Sequence, residues 1–194
     1  MRAFFSEFLG TLFLVATVVG SGITAENLSM GNQALALLAN AVATGAILYV
    51  LITIFNEISG AHFNPVVSLI MFAMRKLSFF EFLAYISVQI TGGILGTFLA
   101  HYMFEISIIQ FSTNFRTGSS QYFSEVIATF GLLLTILLGS KQKIGSVAAL
   151  VAFYITAAYW FTSSTSFANP AVTIARTLTN TFSGIQYGDT IPFI

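Results

Sequence analysis

Long apolar segments separated by short polar connections run along most of the chain. An α-helix needs about 20 mostly apolar residues to cross a bilayer. The hydropathy pattern predicts five spanning helices, at about residues 4–24, 34–56, 79–102, 122–140 and 144–163. The first segment contains Glu7 and is longer than the roughly 7–15 residues of a signal-peptide core. We therefore expect it to be a retained spanning helix.

Two further apolar segments, at about 65–74 and 170–179, are too short to span a membrane. Each opens on an Asn-Pro turn, Asn64-Pro65-Val66 and Asn169-Pro170-Ala171, and the turns lie 169 − 64 = 105 residues apart. Asn is a favoured helix N-cap, and Pro is favoured at the first helical position. The pattern predicts two half-helices whose positive N-terminal ends lie at membrane depth, where only protein or a water-filled cavity covers irregular backbone.

The two halves of the chain resemble each other. Ser6-Glu7 opens the first span and Ser124-Glu125 opens the fourth, and the offset of 125 − 7 = 118 is close to that of the Asn-Pro turns. Because three spans precede the second copy, it is inverted in the membrane, as in many transport proteins. We expect an all-α membrane protein with one domain over residues 1–194, and repeats at about 1–103 and 121–194. A polar surface loop at about 105–121 joins them.

Composition supports a membrane protein and excludes several other classes. Charged residues make up 7% and the mean hydropathy is +0.88, whereas soluble domains carry about 25% charged residues. Net charge is zero and there is no basic run, so we expect no nucleic-acid partner. The chain has no Cys, and its two His residues, His62 and His101, are far apart. We expect no metal, no cofactor and no enzyme activity, because no nucleophile–base pair is apparent.

The basic residues predict an orientation, because they favour the cytoplasmic side of short loops. With a cytoplasmic N-terminus, and with the 65–74 segment returning to the side that it entered from, most of the seven basic residues lie inside. The inside residues are Arg2, Arg75, Lys76, Lys141 and Lys143, and the outside residues are Arg116 and Arg176.

Two loops carry a family resemblance that covers nearly the whole chain. Ser59-Gly60-Ala61-His62-Phe63-Asn64-Pro65-Val66 and Phe167-Ala168-Asn169-Pro170-Ala171 resemble the two signature loops of the aquaporin and aquaglyceroporin family, also called major intrinsic proteins. The Glu7 and Glu125 segments fit the same pattern, as does Gln89 with Gly92-Gly93. The resemblance implies six spans and two half-helices, a homotetramer among membrane lipids, and passive passage of water and small neutral solutes across a bacterial inner membrane.

Two departures from the family pattern matter. The family has Arg directly after the second motif, and this chain has Val172. The family's sixth span should also follow residue 184, whereas this sequence ends at Ile194 and residues 191–194 look like the start of a helix. On this reading the second repeat is truncated.

Asn64 and Asn169 are the best-supported site residues. As N-caps, their side-chain oxygens bind their own half-helices, which leaves both amide NH2 groups free as donors to a passing oxygen atom. Two positive helix ends facing one lumen oppose cations and proton relay.

We expect the residues around Val172 to determine which solutes pass through the pore. Alignment with the family places Thr44, Ala157 or a neighbour, and Ser166 at the constriction. Val172 makes the mouth wider and less charged than Arg would, which favours small uncharged polar solutes such as glycerol. The chain also resembles bacterial members of the family that have Val at this position, and this resemblance implies undissociated arsenous acid as a further solute.

Several ionisable residues have more than one interpretation. Arg176 lies on the same helix face as Val172, so it either replaces the missing Arg or meets lipid headgroups, which we favour. The family implies that Glu7 and Glu125 brace the re-entrant loops, which we prefer to proton relay. His62 either lines the inner vestibule or braces its loop, and we expect His101 to be interfacial. Gly92 and Gly96 have the spacing of a close helix contact.

Three functional hypotheses remain. The leading one is a passive channel. The alternatives are a truncated, non-conducting structural membrane protein that lacks the sixth span, and an ion-coupled secondary transporter that uses Glu7 and Glu125.

Overall fold

The computed structural model describes residues 1–141 and 146–194, and the described residues form helices and loops without strands. The helices are α1 (Arg2–Leu28), α2 (Gln33–Ser59), α3 (Pro65–Ala73), α4 (Phe79–Met103), α5 (Ser119–Gly139), α6 (Val147–Phe161) and α7 (Pro170–Arg176). Two 3-10 turns follow, at Tyr187–Asp189 and Ile191–Phe193. Lys143 and the first two residues of the fifth predicted span, 144–145, lie outside the described residues.

The spanning helices largely match the prediction. Within the described residues, α1, α2, α4 and α5 are long and apolar enough to cross a membrane, and α6 is a shorter apolar helix of 15 residues. Consecutive spanning helices alternate in direction, so the chain defines an N-terminal face, which carries residue 1, and an opposite face. The half-helix α3 ends at the N-terminal face and α7 ends at the opposite face.

Helix starts follow from local capping chemistry. The Asn32 side chain accepts from Leu35 N at 3.1 Å and caps α2. Ser78 and Glu81 form a reciprocal capping box at the start of α4. Asn64 and Asn169 cap the two half-helices, with Pro at the first helical position in each. The sequence rule for Asn-Pro therefore operates twice at membrane depth.

Small residues allow α1 and α4 to pack closely at the centre of the bundle. A Cβ atom at Gly92 would collide with the Phe8 carbonyl oxygen, and one at Gly96 would collide with that of Leu12. The predicted close contact of this glycine pair is confirmed. It holds the Glu7-bearing helix against the helix that carries Gln89.

The two loops that lead into the half-helices have matching backbones. Gly60, Ala61 and Phe63 have positive φ angles of 83°, 50° and 49°. The residues 105 positions later, Thr165, Ser166 and Ala168, have φ angles of 61°, 53° and 47°. Left-handed backbone is costly for residues other than Gly. Its recurrence at equivalent positions identifies the loops as copies of one structural unit.

The connection between the repeats is more than a surface loop. Residues 104–118 pair with the segment after α7, through Ser112 N to Thr177 O at 3.0 Å and Gln186 N to Asn114 O at 2.8 Å. Phe193 is buried against Phe167, with ring centroids 5.0 Å apart. Residues 104–118 therefore fold over the C-terminal end of α7.

His101 lies in the last turn of α4, at the end of a span as predicted, and its side chain faces protein. Its side chain is fully buried. Nε2 lies 2.8 Å from Thr179 Oγ1, and Nδ1 lies 2.7 Å from the Ile108 carbonyl oxygen. His101 thus ties the end of α4 to the segments that fold over α7.

Candidate functional site

The N-terminal ends of α3 and α7 meet inside the bundle. Asn64 Oδ1 accepts from Val66 N at 2.9 Å, and Asn169 Oδ1 accepts from Ala171 N at 3.0 Å. Asn64 Nδ2 donates to the Ala168 carbonyl oxygen at 2.7 Å, and Asn169 Nδ2 donates to that of Phe63 at 2.8 Å. Each half-helix is thus capped by its own Asn and linked to the loop of its counterpart.

These crossed bonds correct the prediction that both amide groups are entirely free. Each NH2 group has two hydrogens, and one is used in the bond to the opposing loop. One N–H of Asn64 and one of Asn169 therefore remain. The crossed pair also fixes the spacing of the two half-helix ends.

The two buried carboxylates hold the loops in the same way. Glu7 Oε1 and Oε2 accept from the backbone N–H groups of His62 and Phe63 at 2.9 and 2.7 Å. Glu125 Oε1 and Oε2 accept from Phe167 and Ala168 at 2.9 and 2.7 Å. Charged acceptors make strong hydrogen bonds to backbone donors. They stabilise the left-handed backbone just before each Asn.

Glu7 has additional partners. Ser59 Oγ donates to Oε1 at 2.7 Å, and Gln89 Nε2 donates to Oε2 at 2.8 Å. Gln89 Nε2 also lies 2.9 Å from Ser68 Oγ on α3. The carboxylate therefore connects α1, α4 and the first loop.

A cavity of about 660 Å³ passes the paired Asn residues. It extends from Lys76 and Ser140 near the N-terminal face to Tyr159 and Arg176. The predicted site residues that line it are Thr44, His62, Asn64, Ser166, Asn169, Val172 and Arg176. Among the residues that the structure describes, no group of three or more His, Asp or Glu side chains could hold a metal ion.

The other motif residues do not line this cavity. Pro65 and Pro170 are the first residues of α3 and α7, and Ala171 is buried behind the wall. Val66 is half-buried and does not line the cavity, whereas its neighbour Val67 does. These residues shape the half-helix starts and leave the lumen to the Asn side chains.

Ala157 was the wrong choice for the α6 wall. It is exposed, while Val151, Ile155 and Tyr159 face the cavity. The spacing of four residues was the available signal, because residues i and i+4 share a helix face. Alignment with the family gave Ala157 or a neighbour, and Tyr159, two positions further on, is the residue that lines the cavity.

Tyr159 forms a polar pair with Thr44. Their hydroxyl oxygens lie 3.2 Å apart, and Thr44 Oγ1 donates to the Asn40 carbonyl oxygen at 2.8 Å. Because Thr44 has one hydroxyl proton, Tyr159 is the donor to Thr44. On the loop side, Ser166 Oγ is buried and has no hydrogen-bond partner within residues 1–141 and 146–194.

Arg176 does not reach lipid headgroups, so the favoured interpretation of this residue is wrong. Its side chain is 2% exposed. The guanidinium Cζ lies 3.5 Å from the centroid of the Phe167 ring, and Nε donates to the Ser183 carbonyl oxygen. Stacking and this bond hold the cation at the wall of the cavity.

Sequence reasoning missed Arg116, which it assigned to a surface loop. Nε donates to the Gly184 carbonyl oxygen at 3.1 Å, and Nη1 donates to that of Ser164 at 3.3 Å. The guanidinium Cζ lies 4.9 Å from the Phe167 ring centroid. Burial lowers the pKa of Arg116. No local pattern marks this residue, because its contacts come from segments about 50 to 70 positions away.

His62 combines both of its open interpretations. It lines the cavity, and Nδ1 lies 3.1 Å from Ser68 Oγ on α3. Its ring also packs edge-on against Tyr85 at 5.3 Å.

Two facing half-helices in an inverted repeat, with a polar cavity passing their capped ends, define a membrane channel. The chain matches the model of the major intrinsic protein family over residues 1–162, and it belongs to that family. It is therefore a membrane channel protein and not an enzyme.

Individual relatives agree with this assignment. The chain is 54% identical to aquaglyceroporin AqpS of Rhizobium meliloti (strain 1021), over 97% of this chain and 81% of that protein. It is 28% identical to aquaporin TIP1-1 of Zea mays, over 96% of this chain and 79% of that protein. The X-ray structure of the aquaglyceroporin from Plasmodium falciparum has the same fold, with a TM-score of 0.72 and 22% identity over 100% of this chain and 89% of that chain.

Proposed function

We propose that the protein is a passive channel for water and small uncharged polar solutes of glycerol size. The observation that carries this proposal is the pair of Asn64 and Asn169 at one level of the cavity, each with one amide N–H left after capping and crossing. Downhill passage needs no cofactor and no covalent step. AqpS of Rhizobium meliloti, named as an aquaglyceroporin and 54% identical to this chain, supports this solute class.

The paired amides select for an oxygen acceptor. A water or hydroxyl oxygen accepts from both donors, so its own protons point away from the pair and cannot continue a proton relay through it. The positive ends of α3 and α7 add a barrier to cations. The level of the Asn residues thus blocks proton relay and adds one barrier to cations.

Size selection is assigned to Val172, Tyr159, Thr44 and Ser166. Val172 is smaller than Arg and uncharged, so the lumen at its level accepts solutes larger than water. The Tyr159–Thr44 pair supplies polar contacts for solute hydroxyls. Undissociated arsenous acid is a neutral solute with several hydroxyls, and it belongs in the same assay.

The proposal includes an assembly and an orientation. We place the chain, as one domain with two repeats, in a bacterial inner membrane with its N-terminus in the cytoplasm and in a homotetramer. Large apolar side chains such as Phe130 and Phe153 are exposed on the outer surface. Their exposure supports contact of this surface with lipid or with other subunits. The N-terminal face carries several basic residues, which supports a cytoplasmic position for this face. These residues are Arg2, Arg75, Lys76 and Lys141.

Stopped-flow light scattering of proteoliposomes tests the function. Vesicles with the protein should show faster water and glycerol equilibration than empty vesicles. The matched control is Val172→Trp at the same protein density, because an indole at this point of the wall should block the lumen while keeping the fold. Equal rates for wild type, Val172→Trp and empty vesicles would refute the proposal.

A further inference from the structure

Two guanidinium groups flank one aromatic ring at the opposite-face end of the cavity. Arg176 comes from the last turn of α7, and Arg116 comes from the connection between α4 and α5. Their Cζ atoms lie 3.5 and 4.9 Å from the centroid of Phe167, which itself lines the cavity. Cations over an aromatic face gain electrostatic stabilisation, most of all when desolvated. The ring therefore holds both cations in fixed positions.

Arg176 lines the cavity, whereas Arg116, Glu125 and Asp189 do not. Arg116 therefore acts on the lumen only through its charge beside Arg176. Glu125 is turned towards the backbone of Phe167 and Ala168, and Asp189 accepts from Arg116 N and Thr117 Oγ1.

The guanidinium groups themselves are only partly satisfied. Within the described residues, their hydrogen bonds go to carbonyl and hydroxyl oxygens, and none goes to a carboxylate. The terminal nitrogens of Arg176 have no hydrogen bond to the described part of the chain. Their charge is therefore presented to the cavity.

The position of Arg176 relates directly to Val172. The two residues lie four positions apart on α7, so Arg176 is about one turn, or roughly 5.4 Å, closer to the opposite face. Val172 lines the cavity without the bulk or the charge that Arg would have there. The charge of Arg176 lies about one helical turn beyond it.

We infer that Arg176 and Arg116, held by Phe167, form a cation barrier in the opposite-face vestibule that separates charge selection from size selection. Val172 admits larger neutral solutes, and the arginine pair repels Na⁺ and K⁺ before they reach the Asn pair. This inference rests on the proposed channel function and assigns its charge-selective residues.

Ion flux into proteoliposomes tests the barrier. The double variant Arg116→Gln/Arg176→Gln should raise Na⁺ permeability by about tenfold or more, because the field of two fixed charges is removed. Arg176→Lys should stay close to wild type, since it keeps the charge. The control Arg75→Gln removes an exposed cation at the N-terminal face and should have no effect on Na⁺ permeability.

The outcomes separate the barrier from the channel function. Water and glycerol rates of the wild type, measured in the same vesicles, decide the channel function. A double variant as tight to Na⁺ as wild type would overturn the barrier, and a Na⁺ leak would support it whatever the glycerol rate. If the double variant does not fold, Arg176→Gln, which removes the cation that lines the cavity, replaces it: a rise in Na⁺ permeability supports the barrier, and no rise overturns it.

Discussion

Val172 and the Tyr159–Thr44 pair give the lumen two unlike walls. Val172 offers only apolar contact, whereas the pair offers hydroxyl groups 3.2 Å apart. A polyol also has two unlike sides, one of C–H groups and one of hydroxyls. The Tyr159–Thr44 hydroxyls can replace water at the solute's hydroxyl side, while Val172 contacts its C–H side. This matters because unpaired polar groups are costly away from water. Under the proposed function, we therefore expect Val172 to favour neutral polyols over ions.

The substitution Val172→Arg tests this assignment at the level of one residue. The longer, charged side chain narrows the lumen beside Asn169, so glycerol permeability should fall by about tenfold or more while water permeability is retained. Stopped-flow measurements of both solutes in one preparation provide the ratio. An unchanged glycerol-to-water ratio would show that residue 172 is not at the constriction.

Tyr159 provides a second residue-scale prediction. Tyr159→Ala removes a ring from the wall, and permeability to the larger polyol erythritol should rise by about fivefold, since pore diameter sets passage of neutral solutes. Tyr159→Phe keeps the ring and should stay within about twofold of wild type. Tyr102→Ala, at a tyrosine that is 75% exposed on α4, is the matched control. Equal erythritol permeabilities of Tyr159→Ala and this control would show that Tyr159 does not limit the diameter of the pore.

The residue scale also shows where sequence reasoning stops. Asn64 and Asn169 were predictable because capping is a local property of an Asn-Pro turn. Tyr159 was missed by two positions because the exact face of α6 depends on its packing against α2. Arg116 depends on segments distant in sequence that fold over α7, and no local pattern encodes that contact. Arg176 is held by the nearby Phe167 and Ser183, but only the folding of the segment after α7 places Ser183 against it.

At the scale of elements, each half-helix is a short helix with a braced loop before it. Asn-Pro and the short apolar segments predicted α3 and α7, but α7 ends at Arg176 instead of near residue 179. The next residues leave the helix to pair with the connection between the repeats, as Thr177 O does with Ser112 N. Tertiary pairing thus sets the end of an element whose start is set locally.

Removing one brace should weaken the second loop. In Glu125→Gln one carboxylate oxygen becomes an NH2 group that faces a backbone N–H, so a buried donor loses its acceptor at a cost of about 1–3 kcal/mol. Thermal stability in detergent and glycerol permeability should both fall. Glu26→Gln, at an exposed end of α1, should change neither.

The same variant separates bracing from proton relay. A bracing role predicts loss of stability without any pH-driven solute accumulation in the wild type. A relay role predicts accumulation that Glu125→Gln abolishes at unchanged stability. The second result would restore the transporter hypothesis.

At the scale of the whole molecule, the inverted repeat determines the direction of every element. Two spanning helices, α2 and α4, lie between the two Glu-bearing helices, so α5 runs opposite to α1, and α3 and α7 reach the centre from opposite faces. The pairs Glu7 with Glu125 and Asn64 with Asn169 then make equivalent bonds on both sides of the centre. This symmetry was predictable from the sequence because each repeat carries its motifs in the same order.

The absence of Cys from the chain allows a direct test of this topology. Single cysteines at Met74 and Gly188 lie at exposed positions after α3 and after α7. An inverted repeat with a cytoplasmic N-terminus places Met74→Cys inside and Gly188→Cys outside. In intact cells, a membrane-impermeant maleimide should therefore label Gly188→Cys alone, and both should react after the cells are opened. Labelling of Met74→Cys in intact cells while Gly188→Cys stays protected would mean that the orientation is reversed or that residues 65–74 cross the membrane. Because α4, α5 and α6 lie between the two sites, labelling of both would mean that residues 170–179 cross the membrane, which would overturn the re-entrant arrangement on which the site depends.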